Sequence, residues 1–355
     1  MREEAASLPK SSQLSLTLVE RQRNLRVLAW AGDVLYASRG YELWRATAHN
    51  GEFSWSPVAH FRPAPWRALT SANRLTSRLV RDGFHALAIT PSGALVGAVP
   101  GAIVTLAPSE KEFHLTHRIT RGTRPLHIVA TPAGHLYFGE YFDNAERDEV
   151  HIYGSTDHGK SWQVAYTFPQ KAIRHIHNIA YDAWENCLWI LTGDYGDECR
   201  ILRASCDLRT MDVALSGDQQ ARAVAVVPVL DGLYFSSDTP LEKNHIYHLD
   251  RSGKLSAWCD LESSSIYGCR VAGSVFFTTM AEPSTVNETQ SVYLYAGTVG
   301  QWHSLVRWKK DRWPMRFFQY GNAFLPDGNN TTPYLAVSTI AVEQDDLTAF
   351  IFRVA

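Results

Sequence analysis

One pattern recurs seven times along this chain: an apolar run, a tight turn that contains Gly or Asp, and a second apolar run rich in aromatic residues. The seven paired runs lie at 25–37, 85–97, 127–138, 178–191, 223–235, 267–277 and 316–325. Their spacing of roughly 40–60 residues is that of a four-stranded repeating unit, since each hairpin must stack on its neighbours to bury its apolar face.

Most of these pairs are followed by a second pair, for example 42–45 with 56–59 and 245–249 with 255–258. The N-terminal run 13–19 alternates polar and apolar residues and has no local partner, so we expect it to join the C-terminal run 349–354. Such pairing removes the exposed edges of the first and last sheets. The sequence therefore predicts an all-β, seven-bladed β-propeller whose ring is closed by the N-terminal strand.

The repeat accounts for almost the whole chain, and we expect a single domain over residues 1–355 with a flexible segment at 1–12. Residues 67–81 give the best short helical pattern and are expected to form an insertion between the first two blades. The formal charge of −2 gives no basic footprint for nucleic acid, and the chain has no apolar run long enough for a transmembrane helix.

The N-terminus lacks the apolar core of a secretory signal, and the five cysteines are odd in number with no CxxC pair. We therefore expect a cytoplasmic protein with reduced thiols, and a Cys-ligated zinc site is the alternative. The cysteines are Cys187, Cys199, Cys206, Cys259 and Cys269.

The stretch 155–162 has the form Ser-x-Asp-x-Gly-x-x-Trp between two β-type runs. Asp157 can accept hydrogen bonds from the turn, Gly159 can supply a positive φ, and Trp162 can place an apolar ring beneath it. This stretch resembles the Asp-box, or BNR repeat, of the sialidase-like superfamily of β-propellers. The resemblance implies a structural turn on the outer side of the third blade, far from the catalytic face. Weaker versions lie at 49–55, 250–258 and 297–302.

The resemblance also implies a glycoside hydrolase, but the chain departs from sialidases in two respects. It has seven predicted blades where sialidases have six, and the early Arg-Ile-Pro motif is absent, with 61–63 the nearest stretch. The required three-arginine clamp on a substrate carboxylate has candidates in Arg174, Arg222 and Arg270.

In a propeller, the starts of first strands and the ends of second strands meet on one face. In this chain those positions are bland in the first two blades and polar in blades three to seven. Such groups are costly to bury unpaired, so we expect a polar funnel for an acidic, hydroxyl-rich ligand, the alternative being that they satisfy loop backbones. The predicted substrate-binding residues are Arg124, Tyr141, Arg174, Tyr195, Gln219, Arg222, Tyr267, Arg270, Glu282 and Gln319.

Two alternating histidines, His175 and His177, are expected to share one face of a strand. With His127 they could bind a divalent metal ion, together with Glu140 or Gln219, or they could act as acid and base. Structural roles for the histidines are the remaining alternative. The predicted catalytic residues are His127, His175, His177, Glu140, Asp194 and Asp238.

The sequence contains no nucleophile elbow, phosphate loop or dinucleotide fingerprint. We therefore predict a carbohydrate-active, glycoside hydrolase-like enzyme that acts on an acidic glycan, without a nucleic-acid or membrane partner. Two alternatives are a metal-assisted uronate lyase and a non-catalytic propeller that binds a glycan or a protein.

Overall fold

Seven antiparallel sheets follow one another along the chain as the blades of a β-propeller, which confirms the predicted fold. The structure is a computed structural model that describes residues 14–49, 51–298 and 301–355. The predicted flexible segment 1–12 lies outside the described residues.

Each blade runs from an inner strand at the central channel to an outer strand at the rim. Blade 1 comprises Arg26–Gly32, Val34–Arg39, Glu42–His49 and Glu52–His60, and blade 2 comprises Ala86–Ile89, Leu95–Val99, Ala102–Leu106 and His114–Arg118. Blade 3 comprises Val129–Ala130, Leu136–Gly139, Val150–Ser155 and Gln163–Phe168, and blade 4 comprises Ile176–Asp182, Cys187–Thr192, Arg200–Ser205 and Met211–Ser216. Blade 5 comprises Ala223–Val229, Gly232–Ser237, Asn244–Asp250 and Leu255–Leu261, and blade 6 comprises Ser265–Val271, Ser274–Thr279, Ser291–Thr298 and Gln301–Lys309. Blade 7 comprises Asn322–Phe324, Tyr334–Ile340, Thr348–Val354 and the N-terminal strand Leu16–Arg23.

The ring closes as the sequence predicts. Leu16–Arg23 pairs antiparallel with Thr348–Val354, so the first strand of the chain is the outer strand of the last blade. A short strand, Asp327–Asn330, also pairs in parallel with Arg26–Gly32 and joins blade 7 to blade 1. The N-terminal strand therefore completes blade 7, and Asp327–Asn330 covers the inner edge of blade 1.

The hydrophobic core lies between the blades. In the described residues, seven apolar clusters fill the seven interfaces between neighbouring sheets, for example Leu43 of blade 1 with Leu87 of blade 2, and Ile190 of blade 4 with Ile152 of blade 3. Burial of these side chains is the main force that holds the ring together, because each sheet alone has two apolar faces to cover.

The predicted helical insertion between blades 1 and 2 is present as two short helices, Pro65–Ser71 and Arg74–Val80. The Asn73 side chain caps the second helix by accepting a hydrogen bond from the Leu75 N–H at 2.8 Å. In the described part of the chain, no helix is long and apolar enough to cross a membrane. All five cysteines are free.

The seventh predicted pair of strands is wrong in part. Residues 316–320 form a turn and coil, not a strand, because the N–H groups of Phe317 and Phe318 bond back to the Pro314 carbonyl. Phe318 packs on Trp313, with 4.9 Å between ring centroids. The inner strand of blade 7 is instead Asn322–Phe324, and its partner is Tyr334–Ile340.

The Asp-box stretch forms the turn between the third and fourth strands of blade 3. Asp157 accepts hydrogen bonds from the Ser155 hydroxyl at 2.8 Å and the Ser161 N–H at 3.0 Å, and Gly159 has φ of 85°. Trp162 packs on Phe138, with 5.0 Å between ring centroids.

Related turns occupy the same position in other blades. In blade 5, Asp250 accepts hydrogen bonds from the N–H groups of Ser252 and Lys254, both at 2.9 Å. In blade 4, Asp207 accepts from the Ser205 hydroxyl at 2.6 Å, a Ser-x-Asp unit that the sequence analysis missed. The weaker versions in blades 1 and 6 include positions 50, 299 and 300, which lie outside the described residues.

Candidate functional site

The two ends of the central channel differ in chemistry. At one end, which we call the polar mouth, the starts of inner strands and the ends of second strands bring together the charged residues described below. At the other end, which we call the basal cavity, the ends of the inner strands enclose about 730 Å³.

The basal cavity has few ionisable lining residues, and two of them, His127 and Asp327, pair with each other. Its walls are mainly the Ala, Val, Ile, Gly and Pro residues of the inner strands. Arg270 lies there, with its guanidinium 4.7 Å from the Trp184 ring centroid. We therefore place the candidate site at the polar mouth, where ionisable groups converge.

The centre of the polar mouth is a cluster of His175, His177 and Asp194, all almost fully buried. The two histidine Nε2 atoms lie 3.0 Å apart. The Asp194 carboxylate lies 3.5 Å from Nε2 of His175 and 3.3 Å from Nε2 of His177. These ligand atoms are close enough together to hold one metal ion.

Backbone carbonyls fix the orientation of both imidazoles. Nδ1 of His175 lies 3.0 Å from the Phe142 carbonyl oxygen, and Nδ1 of His177 lies 2.9 Å from that of Ala223. Because a carbonyl can only accept, each Nδ1 carries the proton, and in the neutral rings each Nε2 presents a lone pair.

Two arginines hold the Asp194 carboxylate. Arg174 lies 3.2 Å and Arg222 lies 3.3 Å from its oxygens. Burial alone would raise the pKa of Asp194, but hydrogen bonds from His175 and His177, which require a proton on Nε2, and the positive charge that this proton brings lower that pKa well below its usual range. Asp194 is therefore a permanent carboxylate.

Neither arginine is available as a free clamp for a substrate. Arg174 also forms an ion pair with Asp143, and Arg222 lies 3.7 Å from Asp238. We call Asp194, Asp238 and Glu282 the acidic wall. Burial, and then Asp238, raises the pKa of Glu282 to about 7, which shows that negative charge is crowded on this side.

Two tyrosines lie beside this cluster. The Tyr141 ring packs on His175, with 4.4 Å between centroids, and Tyr195 lies 6.0 Å from the Arg174 guanidinium. Burial, with Asp238 and Asp194, raises the pKa of Tyr141 to about 12, so its hydroxyl stays protonated.

The other side of the polar mouth is cationic. We call Arg26, Arg81 and Arg124 the basic wall. Burial first, and then the charges of Arg26 and Arg81, lower the pKa of Arg124 to about 10. Burial and the same arginines hold the pKa of His85 well below its usual range, so that His85 is neutral.

Arg26 lies in the middle of this wall. Its guanidinium stacks on Phe324 at 3.8 Å and donates to Nδ1 of His85 at 3.2 Å. Within the described residues, neither Arg26 nor Arg124 has a carboxylate within ion-pair distance, and Nε of Arg26 has no partner. Both side chains are only partly buried, but burial still lowers the pKa of each guanidinium.

His127 is not part of the histidine cluster. The inner strand of blade 3 is only two residues long, so His127 precedes it, and its Nδ1 lies 3.1 Å from both Asp327 oxygens. The Tyr267 ring lies edge-on to His127 at 5.9 Å. The predicted three-histidine set is thus replaced in space by two histidines and Asp194.

Four further predicted residues lie apart from the cluster or support it from behind. Glu140 pairs with Arg121 and accepts the His151 N–H at 2.8 Å. Gln219 is buried and donates to the Asp194 carbonyl at 2.9 Å. Arg270 is at the basal cavity, and Gln319 lies in the coil before Asn322–Phe324.

Arg26, Arg81 and His85 were not among the predicted site residues, because the first two blades show no cluster of polar residues in the sequence. A signal was present in the repeat itself. His85 directly precedes the inner strand of blade 2, as His175 and Arg222 precede those of blades 4 and 5, and Arg26 is the first residue of the inner strand of blade 1.

Comparison with known proteins supports the fold and goes no further. No protein-family model matches the chain, and no curated protein matches it. The chain is similar in structure to the WD40 β-propeller domain of Doa1, with TM-score 0.57, 10% identity and 96% of each chain covered. It is also similar to the β-propeller domain of Myceliophteria thermophila Cps50 (Swd1), with TM-score 0.58, 11% identity, and 96% of this chain and 100% of that one covered.

A chain in the crystal structure of the Mitotic Checkpoint Complex is likewise similar, with TM-score 0.57 and 10% identity, covering 99% of this chain and 100% of that one. These structures are propellers, so the predicted propeller fold is confirmed. The finer resemblance to the Asp-box, sialidase-like family has no support from these comparisons.

Proposed function

We propose that this protein is a binding propeller whose polar mouth recognises an acidic small ligand. The observation that carries the proposal is the basic wall, where Arg26 and Arg124 lack a carboxylate partner among the described residues. An enclosed cation without a counter-ion is costly, and a bound anion would relieve that cost. Asp327 interacts with Arg26 electrostatically, but its carboxylate already pairs with His127.

A ligand carboxylate suits this wall better than a neutral ligand does. Guanidinium groups donate two parallel hydrogen bonds to a carboxylate or phosphate, which supplies both strength and orientation. Tyr141 lies within electrostatic range of Arg124 and of the acidic wall, so its ring is placed to contact a ligand that spans the mouth.

Binding is better supported than hydrolysis. Of the carboxylates predicted to act as acid and base, Glu140 is held by Arg121, and Asp194 is held by two arginines. The lowered pKa of Asp194 keeps that carboxylate ionised near neutral pH, so it is not suited to donate a proton. The Asp-box turn supports the fold, and the sialidase-like family assignment remains a proposal that rests on that turn alone.

One observation favours an enzyme as the second candidate. The pKa of Glu282, raised to about 7, is suited to a general acid or base. This alternative predicts turnover of an acidic glycan that is lost in Glu282→Gln, measured as release of reducing ends. Binding without turnover in both proteins would exclude it.

The proposal is tested by isothermal titration calorimetry with galacturonate and with galactose, which is neutral. We expect the wild-type protein to bind galacturonate at least tenfold more tightly. Arg124→Gln should weaken galacturonate binding by roughly 10- to 100-fold, the range for a lost charge-assisted hydrogen bond. Arg270→Gln, which removes a cation at the basal cavity, is the matched control and should bind as the wild type does.

Equal affinities for the two sugars would contradict recognition of an acid. Loss of binding in Arg270→Gln but not in Arg124→Gln would place the ligand in the basal cavity. If galacturonate does not bind, a panel of succinate, malate and inorganic phosphate decides the matter, and no binding by any of them would overturn the proposal.

A further inference from the structure

We propose that the polar mouth binds one divalent ion of a first-row transition metal through Nε2 of His175, Nε2 of His177 and a carboxylate oxygen of Asp194. This site is distinct from the basic wall, and it does not depend on the acidic ligand proposed above.

The distances within the cluster are in the range that a metal ion imposes. With bonds of about 2.1 Å, two ligands lie roughly 3.0 Å apart at a right angle and about 3.4 Å apart at a tetrahedral angle. The two Nε2 atoms lie 3.0 Å apart, Nε2 of His175 lies 3.5 Å from Oδ2 of Asp194, and Nε2 of His177 lies 3.3 Å from Oδ1 of Asp194. One ion between the two nitrogens and the carboxylate would therefore meet a separate Asp194 oxygen close to each imidazole.

The tautomers make this arrangement unfavourable without a cation. Both Nδ1 atoms donate to backbone carbonyls, so two neutral rings direct two lone pairs at each other across 3.0 Å. Two imidazolium rings would instead direct two N–H groups at each other. Only one cation, a shared proton or a metal ion, can lie between them and interact favourably with both nitrogens.

The Nδ1 hydrogen bonds to Phe142 and Ala223 are the support that metal-binding histidines usually have. Such a bond fixes the ring and directs the other nitrogen at the metal. The carboxylate of Asp194 is oriented in the same manner by Arg174 and Arg222. The cluster is thus held in position by contacts outside it, as a preorganised site requires.

The charges around the cluster also favour a cation. Arg174 is shared between Asp194 and Asp143, and Arg222 is shared between Asp194 and Asp238. Three carboxylates, Asp143, Asp194 and Asp238, therefore surround two guanidinium groups. The arginines orient Asp194 without reversing the local excess of negative charge.

The ligand types select the class of metal. Two imidazoles and one carboxylate suit Zn²⁺, Mn²⁺, Fe²⁺, Co²⁺ or Ni²⁺, whereas Mg²⁺ and Ca²⁺ prefer oxygen ligands alone. Three protein ligands leave at least one position for a ligand from the mouth. Tyr141 packs on His175 and therefore lies next to the cluster.

A second group of potential ligands, Asp182, Glu185 and Cys187, does not make a comparable site. Asp182 already accepts the Trp189 indole N–H at 3.0 Å and pairs with Arg251 at 2.6 Å. Burial raises the pKa of the Cys187 thiol to about 11, which disfavours the thiolate that a metal needs. This group serves as the internal control.

The experiment is equilibrium dialysis of EDTA-stripped protein against Zn²⁺, with bound metal measured by mass spectrometry. We expect one Zn²⁺ per wild-type chain, and at least a tenfold loss of affinity in His177→Gln and in the isosteric Asp194→Asn. Glu185→Gln should bind as the wild type does. Arg124→Gln should also keep the zinc, which separates this site from the proposed acidic-ligand site.

Circular dichroism of each variant shows whether it is folded, and a melting-temperature rise on adding Zn²⁺ should occur in the wild type but not in Asp194→Asn. Cobalt replaces zinc as a second readout, with visible absorption bands expected only while both histidines are intact. No zinc retained by the wild type at 10 µM free metal, or equal retention by His177→Gln and Asp194→Asn, would overturn the proposal. The first of these results would mean that His175 and His177 share a proton.

Discussion

At the residue scale, the polar mouth has the acidic wall on one side and the basic wall on the other. Asp194 is neutralised by Arg174 and Arg222, while Arg124 lacks such a partner in the described residues. The sequence showed that these residues share one face, because the repeat places them at equivalent positions. It could not show which charges pair, since pairing depends on distances between blades that are remote along the chain.

The raised pKa of Glu282 predicts how the stability of the protein changes with pH. Its folded-state pKa of about 7 lies above the ordinary 4.5 because burial, and then Asp238, disfavour the charged form. The folded state therefore holds this proton more tightly than the unfolded state does, so Glu282 lowers stability as the pH rises from about 4.5 to about 7, and the loss is complete above 7. Glu282→Gln should stabilise the metal-free protein at pH 8 by up to about 3 kcal/mol, and by about 1 kcal/mol or less at pH 5.

Urea denaturation of both proteins at the two pH values measures this difference. A benefit that is the same at pH 5 and pH 8 would show that the substitution acts by packing and not by charge.

At the element scale, the histidine cluster depends on the start of the inner strand in blade 4. His175 and His177 flank the first residue of Ile176–Asp182, so both side chains are directed to the same side. The inner strand of blade 3 begins later, at Val129, which is why His127 pairs with Asp327 instead. Strand boundaries of this kind are not encoded by spacing alone, so the predicted third histidine did not join the other two.

The Asp-box turn has the hydrogen bonds that its sequence predicts. These bonds lead to a prediction about stability. Asp157→Ala removes hydrogen bonds to Ser155 and Ser161 and should destabilise the protein by roughly 1 to 2 kcal/mol at pH 7. Asp212→Ala is the control, because Asp212 is exposed on the outer strand of blade 4, and it should have almost no effect.

The effect should also depend on pH. Although burial opposes it, hydrogen bonding lowers the pKa of Asp157, so its contribution is present above the ordinary pKa and is lost as the pH falls through the folded value. Thermal denaturation from pH 7 to pH 3 measures this, and a difference that does not shrink in acid would contradict it.

At the scale of the whole molecule, the ring is closed at blade 7 in two ways. The N-terminal strand completes the sheet, and the helical insertion reaches the same blade through Arg78, which is buried and pairs with Asp311 and Asp346. The sequence predicted the strand, because an unpartnered β-run must find an edge. It could not predict the ion pairs, whose members are more than two hundred residues apart.

Arg78→Met should therefore destabilise the molecule by up to about 3 kcal/mol, since it removes the buried cation that Asp311 and Asp346 share and leaves them only Lys310 and Arg74. Arg74→Met removes a half-exposed ion pair to Asp346 and should cost less than about 1 kcal/mol. Urea denaturation measures both. Equal effects of the two substitutions would show that the buried ion pairs of Arg78 with Asp311 and Asp346 do not hold the ring closed.

The most direct test of the central claim, that ligands bind at the polar mouth, is a crystal structure of the protein soaked with a bromobenzoate. The bromine marks the position of the molecule by its anomalous scattering, at either end of the channel. We predict bromine density at the polar mouth, with the carboxylate hydrogen-bonded to Arg124 or Arg26. Density only in the basal cavity beside Trp184 and Arg270, or none at the mouth, would contradict the account.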